Sequence, residues 1–143
     1  MLEKTLIAYI LQLALNYTGN PPLPADFPIP QLEFVSVETL VLKSCEYATP
    51  EQMPKCLKYY GSRNMVGLYD RFRPKFYIVD KLEQRLKNKE PYAVGVALHE
   101  FVHFLQIHYK HHDNPVISSA ELKEDEEEAY AIERRFINSA MER

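Results

Sequence analysis

Apolar residues recur at helical spacing from the start of the chain. Leu6, Ile7, Ile10, Leu11, Ala14 and Leu15 share one side of a helix centred on Thr5 to Tyr17. The run Asn16-Tyr17-Thr18-Gly19-Asn20 ends it, with Gly19 free to adopt the left-handed cap conformation, so an N-terminal helix is expected over residues 1–19. Pro21, Pro22, Pro24, Pro28 and Pro30 then make residues 20–31 an extended connector. Leu32, Phe34 and Val35 predict a short strand, and Ser36-Val37-Glu38-Thr39 opens a helix that continues through Leu42 towards Cys45. Thr49-Pro50 opens another helical turn. Met65–Tyr69 and Lys75–Val79 predict two strands joined by Asp70-Arg71-Phe72-Arg73-Pro74, the clearest hairpin in the chain. From Pro91 to about Lys110 the period is helical again, with Leu98, Phe101, Val102 and Leu105 as the apolar stripe. His111-His112-Asp113-Asn114-Pro115 breaks it, and Ser118-x-x-Glu121 is the capping box of a last helix running nearly to the C-terminus.

Composition adds bounds to this picture. A chain of 143 residues, 46% hydrophobic and 26% charged, fits one ordinary globular domain spanning 1–143. Its formal net charge of -3 gives no electrostatic footprint for nucleic acid or an anionic membrane, so neither is an expected partner. The acidic run from Glu121 to Glu128 and the basic stretch Lys81, Arg85, Lys87 and Lys89 are expected to be solvated helix faces. Thr5–Tyr17 is too short to span a bilayer and no small-x-small cleavage site follows it, which favours an amphipathic helix over a signal peptide. The compartment stays open between the cytoplasm and export with a leader removed. Cys45 and Cys56, eleven positions apart, match no zinc-ribbon or redox pair. They suit either a disulfide, favouring an exported protein, or two reduced thiols.

The candidate chemistry lies on the helix after Pro91. In His99-Glu100-Phe101-Val102-His103 two imidazoles four positions apart project from one helical face and can share a metal ion. Glu100, between them, can take the proton of a water at that metal without ligating it, as general base for attack on a carbonyl. This is the zincin arrangement, and it points to Zn2+.

A zinc that keeps one position open for water needs a third protein ligand, and the last helix should supply it. Its apolar side runs through Ala129, Ile132, Phe136 and Ala140, and four residues before Ile132 stands Glu128. An inward carboxylate needs a partner, and a metal would provide one. Glu124, one turn earlier, is an alternative ligand or an acceptor for a histidine ring N–H. Glu126 and Glu127 are expected to face solvent. Gln106 lies on the ligand side of its helix, either near the site or on a polar surface, and Gly95 is a close-packing position. Tyr109 and Tyr130 are candidate oxyanion donors, with packing as the alternative role. His108, His111 and His112 form either a second site or a solvated helix end, where cationic groups are favoured.

His-Glu-Phe-Val-His-Phe-Leu-Gln, followed 25 positions after His103 by Glu128-Ala129-Tyr130, resembles the small gluzincins called minigluzincins, with thermolysin a larger relative in mechanism. The resemblance covers roughly residues 30–140. It implies His99 and His103 as ligands, Glu100 as general base, Glu128 as third ligand, and a hairpin ahead of the active-site helix whose edge strand pairs with an extended substrate. Where the fuller thermolysin-like pattern has Asp four residues after the ligand Glu, this chain has Ile132. The expected fold is α+β, a compact zincin-like domain with a small sheet or hairpin packed on the active-site helix and a C-terminal helix supplying a Glu. The expected function is zinc-dependent hydrolysis of a peptide or protein substrate. The alternative is a non-catalytic zinc-binding domain acting through a protein partner.

Overall fold

In the computed structural model, which describes residues 4–114 and 116–142, six α-helices surround a three-stranded mixed sheet. The N-terminal helix is thus seen from Lys4, as α1 (Lys4–Thr18), and Pro115, expected in the break before the last helix, lies outside the described residues. Gly19 takes φ +74°, the left-handed cap its sequence position anticipates. The proline-rich connector leads into β1 (Gln31–Val35), and α2 (Val37–Ser44) follows at once because the Ser36 side chain accepts from the Thr39 backbone N–H. The segment opened by Thr49-Pro50 is a turn closed by bonds between Thr49 and Gln52, and α3 (Met53–Gly61) begins after it. A disulfide between Cys45 and Cys56 ties the end of α2 to α3, resolving the two readings of that pair.

The hairpin forms as β2 (Gly67–Asp70) and β3 (Lys75–Val79), antiparallel with Gly67 opposite Ile78. β1 adds to the other side of β3 in parallel, with Leu32 opposite Phe76, giving the order β1-β3-β2. β3 is accordingly the buried central strand, while β2 keeps one edge free among the described residues. A 3-10 turn and α4 (Glu83–Lys87) occupy the basic stretch, whose Lys81, Arg85, Lys87 and Lys89 are exposed as expected, while Leu82 and Leu86 on the other side anchor it in the core.

The helix α5 (Pro91–Leu105) is buried nearly all round, between α1, the sheet and the last helix. Phe101 stacks on Phe76 of β3 at 4.2 Å, locking the helix to the sheet. α6 (Ser119–Met141) starts with the anticipated capping box of Ser118 and Glu121 and lies along α5. The two helices meet closely at Gly95, where a Cβ would come within 2.7 Å of the Ile137 side chain, so Gly95 is indeed a close-packing position. The helix expected to run on to Lys110 instead widens into a π turn at Gln106–Lys110. No helix among the described residues is long and apolar enough to cross a membrane.

Candidate metal centre

His99 and His103 sit one turn apart on the face of α5 that turns towards α6, and their Nε2 atoms approach to 3.2 Å. One oxygen of Glu126 meets both, 2.6 Å from His99 Nε2 and 3.1 Å from His103 Nε2. The proton inventory at this point follows from Gln106, the first residue of the π turn, which is buried beside His103. Its amide Nε2 donates to the Asp125 carbonyl at 2.9 Å and to Glu128 Oε1 at 2.7 Å. Both amide hydrogens are then engaged, and the amide oxygen is left facing His103 Nδ1 at 2.8 Å. An amide oxygen only accepts, so His103 Nδ1 carries the hydrogen and, in the neutral ring, Nε2 presents a bare lone pair. Three acceptor atoms therefore converge with at most one proton among them while the imidazoles are neutral.

That arrangement attracts positive charge. Burial works against protonating His99, but the hydrogen bond to Glu126 and the Glu133 carboxylate beside the ring outweigh it and push the imidazole up to about 10. Burial likewise opposes charge on His103, and Glu126 again raises its pKa on balance. For Glu126 burial acts upward and is overcome by the two imidazoles, which hold its carboxyl well below the usual range.

The donor set fits a zinc ion. Bonds of about 2.0–2.1 Å at tetrahedral angles separate neighbouring ligand atoms by about 3.3 Å. The observed separations of 2.6, 3.1 and 3.2 Å lie within a few tenths of an ångström of that spacing, apart from the short His99–Glu126 contact. Around the two imidazoles, Gln106 orients His103, and Glu133 Oε1 stands 2.9 Å from His99 Nδ1, in ion-pair range although misaligned for a hydrogen bond. The ring of Tyr130 meets His99 edge-on at 4.5 Å.

Glu100 is buried beside the pair, one of its oxygens lying with the two imidazole donors inside a 4.8 Å cluster. Among the described residues its carboxylate has no hydrogen-bond or ion-pair partner, and desolvation raises its pKa, opposed in part by the two imidazoles. The space it occupies is left by Gly67 of β2: a Cβ there would stand 2.9 Å from Glu100 Oε2 and 3.3 Å from the Ile78 side chain. All these groups open onto a cleft of about 760 Å³ between α3, β2, α5 and α6.

Glu128, the carboxylate anticipated as third ligand, is not brought to the histidines; it holds the Gln106 amide from the far side. The reason is helical register. At 3.6 residues per turn, Glu126 and Glu128 lie roughly 160° apart around α6, on opposite flanks of the buried stripe Asp125, Ala129, Ile132 and Phe136. The site faces the flank of Glu126 and Glu133. Stepping back four from Ile132 selects the other flank, and Glu126, anticipated in solvent and half exposed, is nonetheless the one that converges on the histidines. Glu124 is also elsewhere, paired with Lys110 at 3.2 Å.

The remaining candidates divide. Tyr130 borders the cleft, whereas Tyr109 donates to the Pro21 carbonyl at 2.7 Å and tethers the connector. His111 is no solvated helix end: it is buried, 2.6 Å from Asp125 Oδ2, and this contact with Lys110–Asp125 at 2.7 Å fixes the start of α6 against the π turn. His108 packs on Phe27 and faces Asp113, His112 is exposed, and among the described residues the only cluster able to hold a metal is at His99, Glu100 and His103, so the three histidines do not form a second site there. No family model matches the chain, and it has no match among the curated proteins or the solved structures.

Proposed function

We propose that the protein is a zinc-dependent peptidase in which His99, His103 and Glu126 hold the metal and Glu100 is the general base. The observation that carries this reading is the convergence of three acceptor atoms with too few protons to share, beside a buried carboxylate without a partner among the described residues. Bound there, zinc would supply a Lewis acid for the substrate carbonyl and ease deprotonation of the attacking water. Glu100 takes that proton on a carboxylate oxygen while the water oxygen bonds to the carbonyl carbon. It returns the proton to the amine nitrogen as the C–N bond breaks. The free edge of β2 beside Glu100 supports an extended polypeptide as substrate, since such an edge offers unpaired backbone groups.

The alternative of a purely structural zinc leaves the desolvated Glu100 without a role, and a structural site normally closes with a fourth ligand. The gluzincin resemblance supports the roles of His99, Glu100 and His103. Its Glu-Ala pair does not coincide with the converging carboxylate, which stands 23 rather than 25 positions after His103. The Cys45–Cys56 bridge supports work in an oxidising compartment, because reducing pools keep such pairs open.

Zinc-loaded protein is expected to cleave an unfolded protein mixture, to stop when zinc is stripped by a chelator, and to resume on adding zinc back. Cleavage that persists after zinc is removed would refute the reading. A second expectation concerns Gly67. Gly67→Ala pushes a methyl into Glu100, so zinc content should be unchanged while kcat falls about tenfold to 100-fold, the order caused by displacing a reacting group by about an ångström. Equal kcat in that variant would mean that the Glu100 position is not critical.

A further inference from the structure

Six aromatic side chains are well exposed among the described residues, and five of them, Tyr47, Tyr59, Phe72, Tyr92 and Tyr130, line the cleft that contains Glu100. Exposed aromatic surface gathered in one place, rather than scattered, marks a binding face. Within it one pair is built with care. Tyr47 and Phe72 meet edge-to-face with centroids 4.8 Å apart, each half exposed. Tyr47 donates its hydroxyl to the buried Asp70 carboxylate at 3.1 Å, and the same carboxylate accepts the Phe72 backbone N–H at 3.0 Å. Glu46 and Arg73 form an ion pair at 2.7 Å across the same junction, and the guanidinium of Arg71 lies over the Phe72 ring. The loop after α2 is thus fastened to the β2–β3 turn, and two aromatic faces are held rigid at little entropic cost to a ligand.

The place of this pair along β2 sets a distance. Gly67, at one end of the strand, touches Glu100, while Asp70, at the other, carries the Tyr47–Phe72 pair. They are three residue steps apart along the strand, about 10 Å at roughly 3.3 Å per residue. A peptide added to the free edge of β2 advances at the same pitch, so its residue facing the pair stands about three positions from the bond facing Glu100.

We propose that Tyr47 and Phe72 form a substrate subsite for a bulky apolar side chain, aromatic by preference, about three residues to one side of the scissile bond. This rests on the peptidase reading above and adds to it a class of substrate: extended polypeptide with an aromatic residue at that spacing.

The chain contains no Trp, so a peptide bearing one Trp is the sole indole emitter in a mixture with the protein. The zinc-loaded Glu100→Gln variant should bind an unstructured Trp peptide with a change in its emission. In that background Phe72→Ala should weaken binding about tenfold. Zinc content reports that the variant is folded. Unmodified protein acting on a mixed peptide library should show aromatic residues enriched about three positions from the cut, and Phe72→Ala should lose that enrichment. Cleavage without enrichment, or binding indifferent to Phe72→Ala, would overturn the subsite and leave the peptidase standing. Binding that depends on Phe72 in a protein that cuts nothing would instead sink the peptidase reading and keep the subsite as a peptide-binding site.

Discussion

Replacing Glu126 with Ala is expected to lower zinc affinity by at least about 100-fold, whereas Glu128→Ala should lower it by no more than about tenfold. Loss of a ligand should exceed the roughly 10–100-fold effect typical of groups that only orient ligands. Glu126 is the carboxylate that touches both imidazoles, at 2.6 and 3.1 Å, and without it the lone pair of His103 Nε2 faces only another nitrogen. Glu128 acts two steps away, through the Gln106 amide that fixes the His103 tautomer. Competition against a chromophoric chelator measures both variants on one scale. A larger loss in the Glu128 variant would mean that α6 presents its other flank to the site.

Glu100→Gln should keep zinc at full stoichiometry and reduce kcat by about 10²- to 10⁴-fold, the usual contribution of a positioned general base. Gln is nearly isosteric, so it fits the gap beside Gly67 without moving the strand, but it cannot accept the proton that a carboxylate takes from the water. The change should fall on kcat rather than on peptide binding, since Glu100 has no described partner that it would release. Steady-state kinetics with zinc measured on the same samples separates the cases. Undiminished kcat would assign the base elsewhere, and lost zinc would make Glu100 a ligand.

Much of this was legible in the chain. The His99–His103 spacing, the helix under it, the capping box at Ser118 and the hairpin of β2 and β3, expected from Met65 and seen from Gly67, all depend on local signals, and those signals agree with their tertiary setting. What escaped depends on partners that no local pattern names. The strand Gln31–Val35 was visible, but its parallel pairing with β3 is set by a crossover of two helices and a strand. The π turn at Gln106 shows no breaker residue, yet it accompanies the amide that orients His103. In α6 the apolar stripe fixes which side is inward but not which flank meets the histidines, and five acidic residues from Glu124 to Glu128 populate both flanks. Two signals pointed the other way from Glu128. Glu126 and Glu133 are seven apart and share a flank with Tyr130, the pattern of a polar seam bordering the buried stripe.

A zinc seat formed by His99, His103 and Glu126 is best examined by elemental analysis of the purified protein after exhaustive dialysis. About one zinc per chain is expected, and none in a His103→Ala variant prepared alongside. No zinc in the unmodified protein, even after dialysis against a zinc-containing buffer, would contradict it.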